Sequence, residues 1–108
     1  MLFRSLSIVA RRDGEIVAVA VGEVRRPADE AYLAGLMVRS DLRGEGVGAH
    51  VVAAFASAAA ELGASFLSLR TEAVGRARPF YERLGFTEWY LLPAWRNGRD
   101  FVQMRRPL

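Results

Sequence analysis

Arg43-Gly44-Glu45-Gly46-Val47-Gly48 places one guanidinium and three glycines between a strand-like apolar run and an alanine-rich, helix-like one. The chemistry such a stretch can do is to hold an anion. Free backbone amides at a helix start and the positive end of the helix dipole attract negative charge, and glycines let several amides converge on one phosphate group. A plain strand-to-helix turn needs a single glycine. Spacing then chooses among the known phosphate loops. A nucleotide P-loop requires G-x-x-x-x-G-K-[ST], and the chain has no lysine; a dinucleotide fingerprint requires G-x-G-x-x-G, whereas Gly44, Gly46 and Gly48 alternate. What remains is Arg-x-x-Gly-x-Gly at the mouth of a helix. Other chemistries are closed off by composition. Without cysteine there is no disulfide, thiolate metal site or cysteine nucleophile, and with His50 as the single histidine no metal site is expected.

The elements that must position this loop are legible in the periodicity. The 108 residues, 52% hydrophobic and 25% charged, suffice for one core, so a single domain over residues 1–108 is expected. Apolar residues alternate through LSIVA and again through EIVAVAVGEV, with Asp13-Gly14 between them as a hairpin turn. RRPADE reads as a second turn, and AYLAGLMV as a third strand in which Gly35 marks a bulge or a close backbone approach. After the glycine loop, Val47, Val51, Phe55, Ala58 and Leu62 recur at helical spacing, and Gly63 stops the helix. SFLSLR then follows through a helical crossover, so it should lie parallel to the third strand. A short helix with Pro79 in its first turn ends at Leu84-Gly85. FTEWYLL and DFVQMRR close the chain as a hairpin around PAWRNGR. The predicted class is α/β in the α+β sense: a mixed, mostly antiparallel sheet with helices packed on it.

All fifteen basic residues are arginines, and they exceed the twelve acids by three. The sequence pI is 10.2. That excess suits a phosphate-bearing ligand, but the arginines are interleaved with acids and nucleic-acid binding is not indicated. No run approaches the roughly 18 apolar residues of a membrane span. The start, MLFRSLSIVARR, reads as a strand rather than a signal peptide, and a cytoplasmic location is expected.

VRSDLRGEGVGAHVV resembles the coenzyme A pyrophosphate loop of the GNAT (GCN5-related) N-acetyltransferases, [QR]-x-x-G-x-[GA] between a bulged strand and a helix. ARPFYERLGF resembles the same family's A-x-x-x-Y-x-x-x-G-F segment, with Ala77, Tyr81, Gly85 and Phe86 in register. The likeness runs from about Ile8 to the C-terminus. It implies an acyl-CoA N-acyltransferase fold and acetyl-CoA as co-substrate. Backbone amides of Gly44, Glu45, Gly46, Val47, Gly48 and Ala49 would hold the pyrophosphate, and Arg43 would brace the loop. Met37 and Val38 would bond the pantetheine arm, which lies in the sheet as a pseudo-strand. Tyr81 would protonate or stabilise the departing thiolate as general acid. Taken alone, Tyr81 is also readable as a core-lining aromatic beside Phe80.

Three departures from the family pattern carry consequences. Val74 stands where the second signature usually opens with asparagine, which removes one polar contact to the cofactor arm. Residues 31–38 contain no acid or histidine, so Glu23 on the adjacent strand is the candidate base, with an exposed strand-end carboxylate as its alternative reading. His50 shares a helical stripe with Ser57 and Glu61 and reads as solvated. The two N-terminal helices that usually wall the acceptor site are missing from this short form. The acceptor groove is therefore expected to be open, covered by a second subunit or completed by another chain, with a homodimer as the leading expectation. The predicted activity is acetyl transfer to a primary amine, small-molecule or peptide, by direct attack. The alternative is a non-catalytic acyl-CoA-binding module, a sensor or partner subunit.

Overall fold

Asp13 and Gly14 both take positive φ, 52° and 80°, which is the backbone a two-residue hairpin turn requires. They join β1 (Leu2–Arg12) to β2 (Glu15–Arg26) in the computed structural model, which describes residues 2–108. The chain continues through β3 (Glu30–Val38), a 3₁₀ turn (Ser40–Leu42), α1 (Val47–Glu61), β4 (Phe66–Glu72), α2 (Ala77–Arg83), β5 (Thr87–Arg96) and β6 (Arg99–Pro107). The six strands form one sheet in the order β1-β2-β3-β4-β6-β5. All neighbours are antiparallel except β3 and β4, which run parallel across the α1 crossover as expected.

Alternation assigns each strand residue to a face. Leu6, Ile8 and Ala10 of β1 register with Gly22, Ala20 and Ala18 of β2, and these join Val24, Ala31, Leu33, Leu67 and Leu69 beneath α1. Val51, Val52, Phe55, Ala56 and Ala59 are the buried stripe of that helix. Phe55 is fully buried. Phe86, Val102 and Met104 extend the same core under α2, whose Phe80 ring lies near Gly48 of α1. Both helices therefore cover one face. No helix among the described residues covers the other, where Phe3, Val9 and Met37 stand exposed.

Two local differences from the sequence reading have simple causes. The bulge in β3 falls at Ala34: Leu33 pairs with Gly22 and Gly35 with Val21, leaving Ala34 as the extra residue. The close backbone approach belongs instead to Gly22. A Cβ there would overlap the Tyr32 carbonyl oxygen and come to 2.9 Å from Phe55 Cζ. At the other end, β5 does not stop at Leu92. It runs on through a bulge to Arg96, because Asn97 and Gly98, at φ 53° and 70°, form the tight turn and PAW is absorbed into the strand. The amide of Ala94 in that bulge donates to Asp100 Oδ1 at 2.9 Å.

Candidate active site

The parallel pairing of β3 and β4 lasts for four residue pairs, Glu30 with Phe66 to Leu33 with Leu69. Beyond it β3 bulges and keeps only β2, while β4 keeps only β6 as far as Glu72 with Phe101. The two strands splay. The inner edges of Ala34–Val38 and Arg70–Glu72 thus face a gap without a strand partner, which is where an extended ligand arm can add as a short pseudo-strand.

The glycine loop stands at the wide end of this gap. Gly44 and Gly46 have φ of 86° and 81°, conformations that side chains disfavour, and a Cβ on either would meet nothing within 4 Å. Their bareness serves the backbone conformation and the open space in front of it. Gly48 differs: a Cβ there would lie 3.3 Å from Phe80 Cζ, so its absence lets α2 close against α1. Gly46 caps α1 without a side-chain hydrogen bond. The amides of Gly44, Gly46, Val47, Gly48 and Ala49 have no acceptor among the described residues, whereas that of Glu45 turns back to the Leu42 carbonyl at 3.3 Å. Five unpaired donors at a helix N-terminus make an anion cradle.

A groove of about 810 Å³ runs from this cradle along the splay. Met37, Val38, Arg43, Gly44, Gly46, Val47, Gly48 and Ala49 all line it, so the structure brings together all but one of the residues expected to touch the cofactor. Glu45 is not among them. Its carboxylate points to Arg12 Nη1 at 3.5 Å. The loop is braced by Arg39 rather than Arg43. Arg39 donates to Asp41 (Nε to Oδ1, 2.6 Å) and to Glu15 (Nη1 to Oε2, 3.0 Å), tying the loop base to the start of β2. The hydrogen bond from Arg39 also holds the Asp41 carboxyl below its ordinary range. Arg43 is exposed to the groove. Arg76 and Arg83 line it as well, and none of the three has a carboxylate partner among the described residues, which adds positive charge in front of the amides. Neither Arg76 nor Arg83 announces itself in the sequence; both matter because α2 folds back over the loop.

Tyr81 enters the groove from α2. Its ring is edge-on to Phe80 and Phe86 at centroid distances of 5.1 and 5.7 Å, and burial raises its pKa above the ordinary phenol value. It is thus a neutral phenol throughout the physiological range. Among the described residues the phenol oxygen has no hydrogen-bond partner and no fully buried polar side-chain atom lacks one, so this oxygen is solvent-accessible on a residue that lines the groove. Tyr81 is both core aromatic and groove donor.

Glu23 lies elsewhere. It sits opposite Tyr32 on the helix-free face, beside the still-paired part of the sheet, and its Oε1 accepts from Arg25 Nε and Nη2 at 3.1 and 2.9 Å. Arg25 stacks over Tyr32 at 4.4 Å and reaches Glu30, whose other oxygen accepts from the buried Ser68 hydroxyl. His50 is exposed on α1, as expected.

A sequence model of the acetyltransferase (GNAT) family matches residues 2–86. The chain belongs to the GNAT acetyltransferase family. This GNAT domain matches no curated protein sequence. Solved structures place its fold firmly. The ribosomal-protein-S18-alanine N-acetyltransferase from Escherichia coli is 26% identical, with a TM-score of 0.85 over 96% of this chain and 69% of that one. Nourseothricin acetyltransferase is 26% identical, with a TM-score of 0.86 over 95% of this chain and 65% of that one. An aminoglycoside 6'-N-acetyltransferase complexed with coenzyme A is 17% identical, with a TM-score of 0.88 over 95% of this chain and 72% of that one. This GNAT chain thus spans roughly two thirds to three quarters of the length of these structures.

Proposed function

We propose that the domain transfers an acetyl group from acetyl-CoA to a primary amine by direct attack. The observation that carries the reading is the continuity of three features in one groove: five unpaired amides, an unpartnered strand edge and a reachable neutral phenol. In this reading the amides of Gly44, Gly46, Val47, Gly48 and Ala49 hold the pyrophosphate, with Arg43, Arg76 and Arg83 adding charge complementarity. The open edge of Met37 and Val38 orients the pantetheine arm. The amine nitrogen forms a bond to the thioester carbon, the carbon–sulfur bond breaks, and Tyr81 gives its proton to the sulfur. The attacking ammonium loses two protons, one to a base before attack and one as the amide forms, and the second restores the Tyr81 phenol. An alkylamine with a pKa near ~10.4 is almost wholly protonated at neutral pH, so a base is needed. Glu23 takes that role through water on the helix-free face. That face, wide open in one protomer, is completed by a second copy of the chain in a homodimer. Residues 1–108 act as one unit.

Calorimetric titration with acetyl-CoA tests the cradle. Gly46→Glu should abolish binding, whereas Gly46→Ala, with the same positive-φ strain and no carboxylate, should weaken it far less. Equal affinity in the wild type and Gly46→Glu would remove the loop from the site. A non-catalytic acyl-CoA-binding module would bind coenzyme A normally and release no thiol with any amine, and the reachable phenol of Tyr81 argues against it.

A further inference from the structure

Cross-strand register places Ser68, Arg70 and Glu72 of β4 beside Arg105, Gln103 and Phe101 of β6 on the helix-free face. Arg70 is the first residue of β4 beyond its last pair with β3, so it stands where the splay opens. Its guanidinium lies 4.5 Å from the ring centroid of Trp95, and its Nε donates to Oε1 of the buried Gln103 at 3.0 Å. Those contacts fix the plane and leave both terminal nitrogens without a partner among the described residues. Arg105, diagonal to Arg70 across the ladder, lies 4.8 Å from the ring centroid of Trp89, which meets Phe66 edge-on. Neither arginine pairs with a carboxylate among the described residues. The neighbouring acids are already engaged: Glu23 and Glu30 share Arg25, and Glu72 pairs with Arg99.

Two guanidiniums diagonal to each other on neighbouring strands, each stacked on a tryptophan and without a carboxylate partner among the described residues, suit a carboxylate. Glu23 and Glu30 against the single Arg25 leave one negative charge across the same face, which suits an ammonium. The cofactor groove is walled by α1 and α2, so an acceptor reaches the splay from this side. We propose that Arg70 and Arg105, on their Trp95 and Trp89 platforms, select an acceptor amine that bears a carboxylate, as an amino acid does. This rests on the transferase reading above and names its substrate class.

Trp89 and Trp95 are the two tryptophans of the chain, so intrinsic fluorescence reports directly on both stacks. The 108-residue chain is titrated with L-glutamate, with L-glutamine amide as the analogue without a carboxylate, and with phosphoethanolamine, each with and without coenzyme A. Saturable change with glutamate, little with L-glutamine amide, and weakening of roughly 10-fold or more in Arg70→Gln and in Arg105→Gln are expected. Coenzyme A affinity should be unchanged in both variants, which shows that they remain folded. Equal response to L-glutamine amide, no saturable response, or unaltered variants would overturn the site. Tighter binding of phosphoethanolamine would overturn the carboxylate assignment. Thiol release separates the two readings. Glutamate bound in an Arg70-dependent way without any acetyl transfer sinks the transferase reading and keeps this site, while transfer to neutral amines as fast as to glutamate does the reverse.

Discussion

Replacing Tyr81 by phenylalanine removes one oxygen that makes no hydrogen bond among the described residues, while the ring keeps its edge-on contacts at 5.1 and 5.7 Å with Phe80 and Phe86. Stability should therefore change little, by less than about 1 kcal/mol, since no partner is left unsatisfied. Turnover should not be spared. A positioned proton donor contributes typically ~10²–10⁴-fold, or about 3–5 kcal/mol at 1.36 kcal/mol per decade. Coenzyme A affinity should hold within about threefold, because the proposed binding rests on the amides and arginines. The assay is thiol release at saturating acetyl-CoA, beside calorimetry with coenzyme A and a thermal melt. The pH dependence sharpens the test. Burial raises the Tyr81 pKa above 10.0, so the acid form and its catalytic contribution persist through that value and fall only as pH rises through the higher folded-state pKa. The same sign applies to stability: the phenol's contribution is complete below the unfolded pKa and is lost on the alkaline side. A variant with wild-type turnover and an unchanged alkaline limb would refute the role assigned to Tyr81.

Gly22→Ala should lower Tm by more than about 10 °C, the equivalent of roughly 3 kcal/mol in a domain of this size, because the new methyl meets a backbone carbonyl and the fully buried Phe55; a melt within a degree or two of wild type would show that the bulge can shift. Glu23→Gln should reduce kcat/KM by roughly 10²-fold at neutral pH, with the loss shrinking as pH approaches the amine's own pKa; a loss independent of pH would make Glu23 a structural partner of Arg25 rather than a base. Sedimentation at rising protein concentration should show a dimer, covering part of the helix-free face that carries Phe3, Val9 and Met37, and a monomer at high concentration would leave that face to the acceptor alone.

Much of this molecule is written in short stretches of sequence. Asp13-Gly14 and Asn97-Gly98 specify hairpins because their positive φ values match the twist of paired strands. Apolar alternation and the Val51-Phe55 stripe specify strands and helix through periods of 2 and 3.6. Gly44-x-Gly46 specifies an open cradle, since its requirement is local backbone conformation and free amides at the next helix. Tertiary structure decided what no neighbouring residue could. The splay begins at Ala34 because β4 stays with β6 while β3 stays with β2, a competition between strands far apart in sequence. Bracing fell to Arg39 rather than Arg43 because Glu15, 24 residues away, lies beside it across the sheet. Arg76 and Arg83 joined the groove beside the glycine loop when α2 folded over it, and Arg70 and Arg105 met Trp95 and Trp89 through the pairing of β4, β6 and β5. Periodicity reports which face a residue occupies; which charges share that face, and which lack a partner there, is settled only when the strands pair.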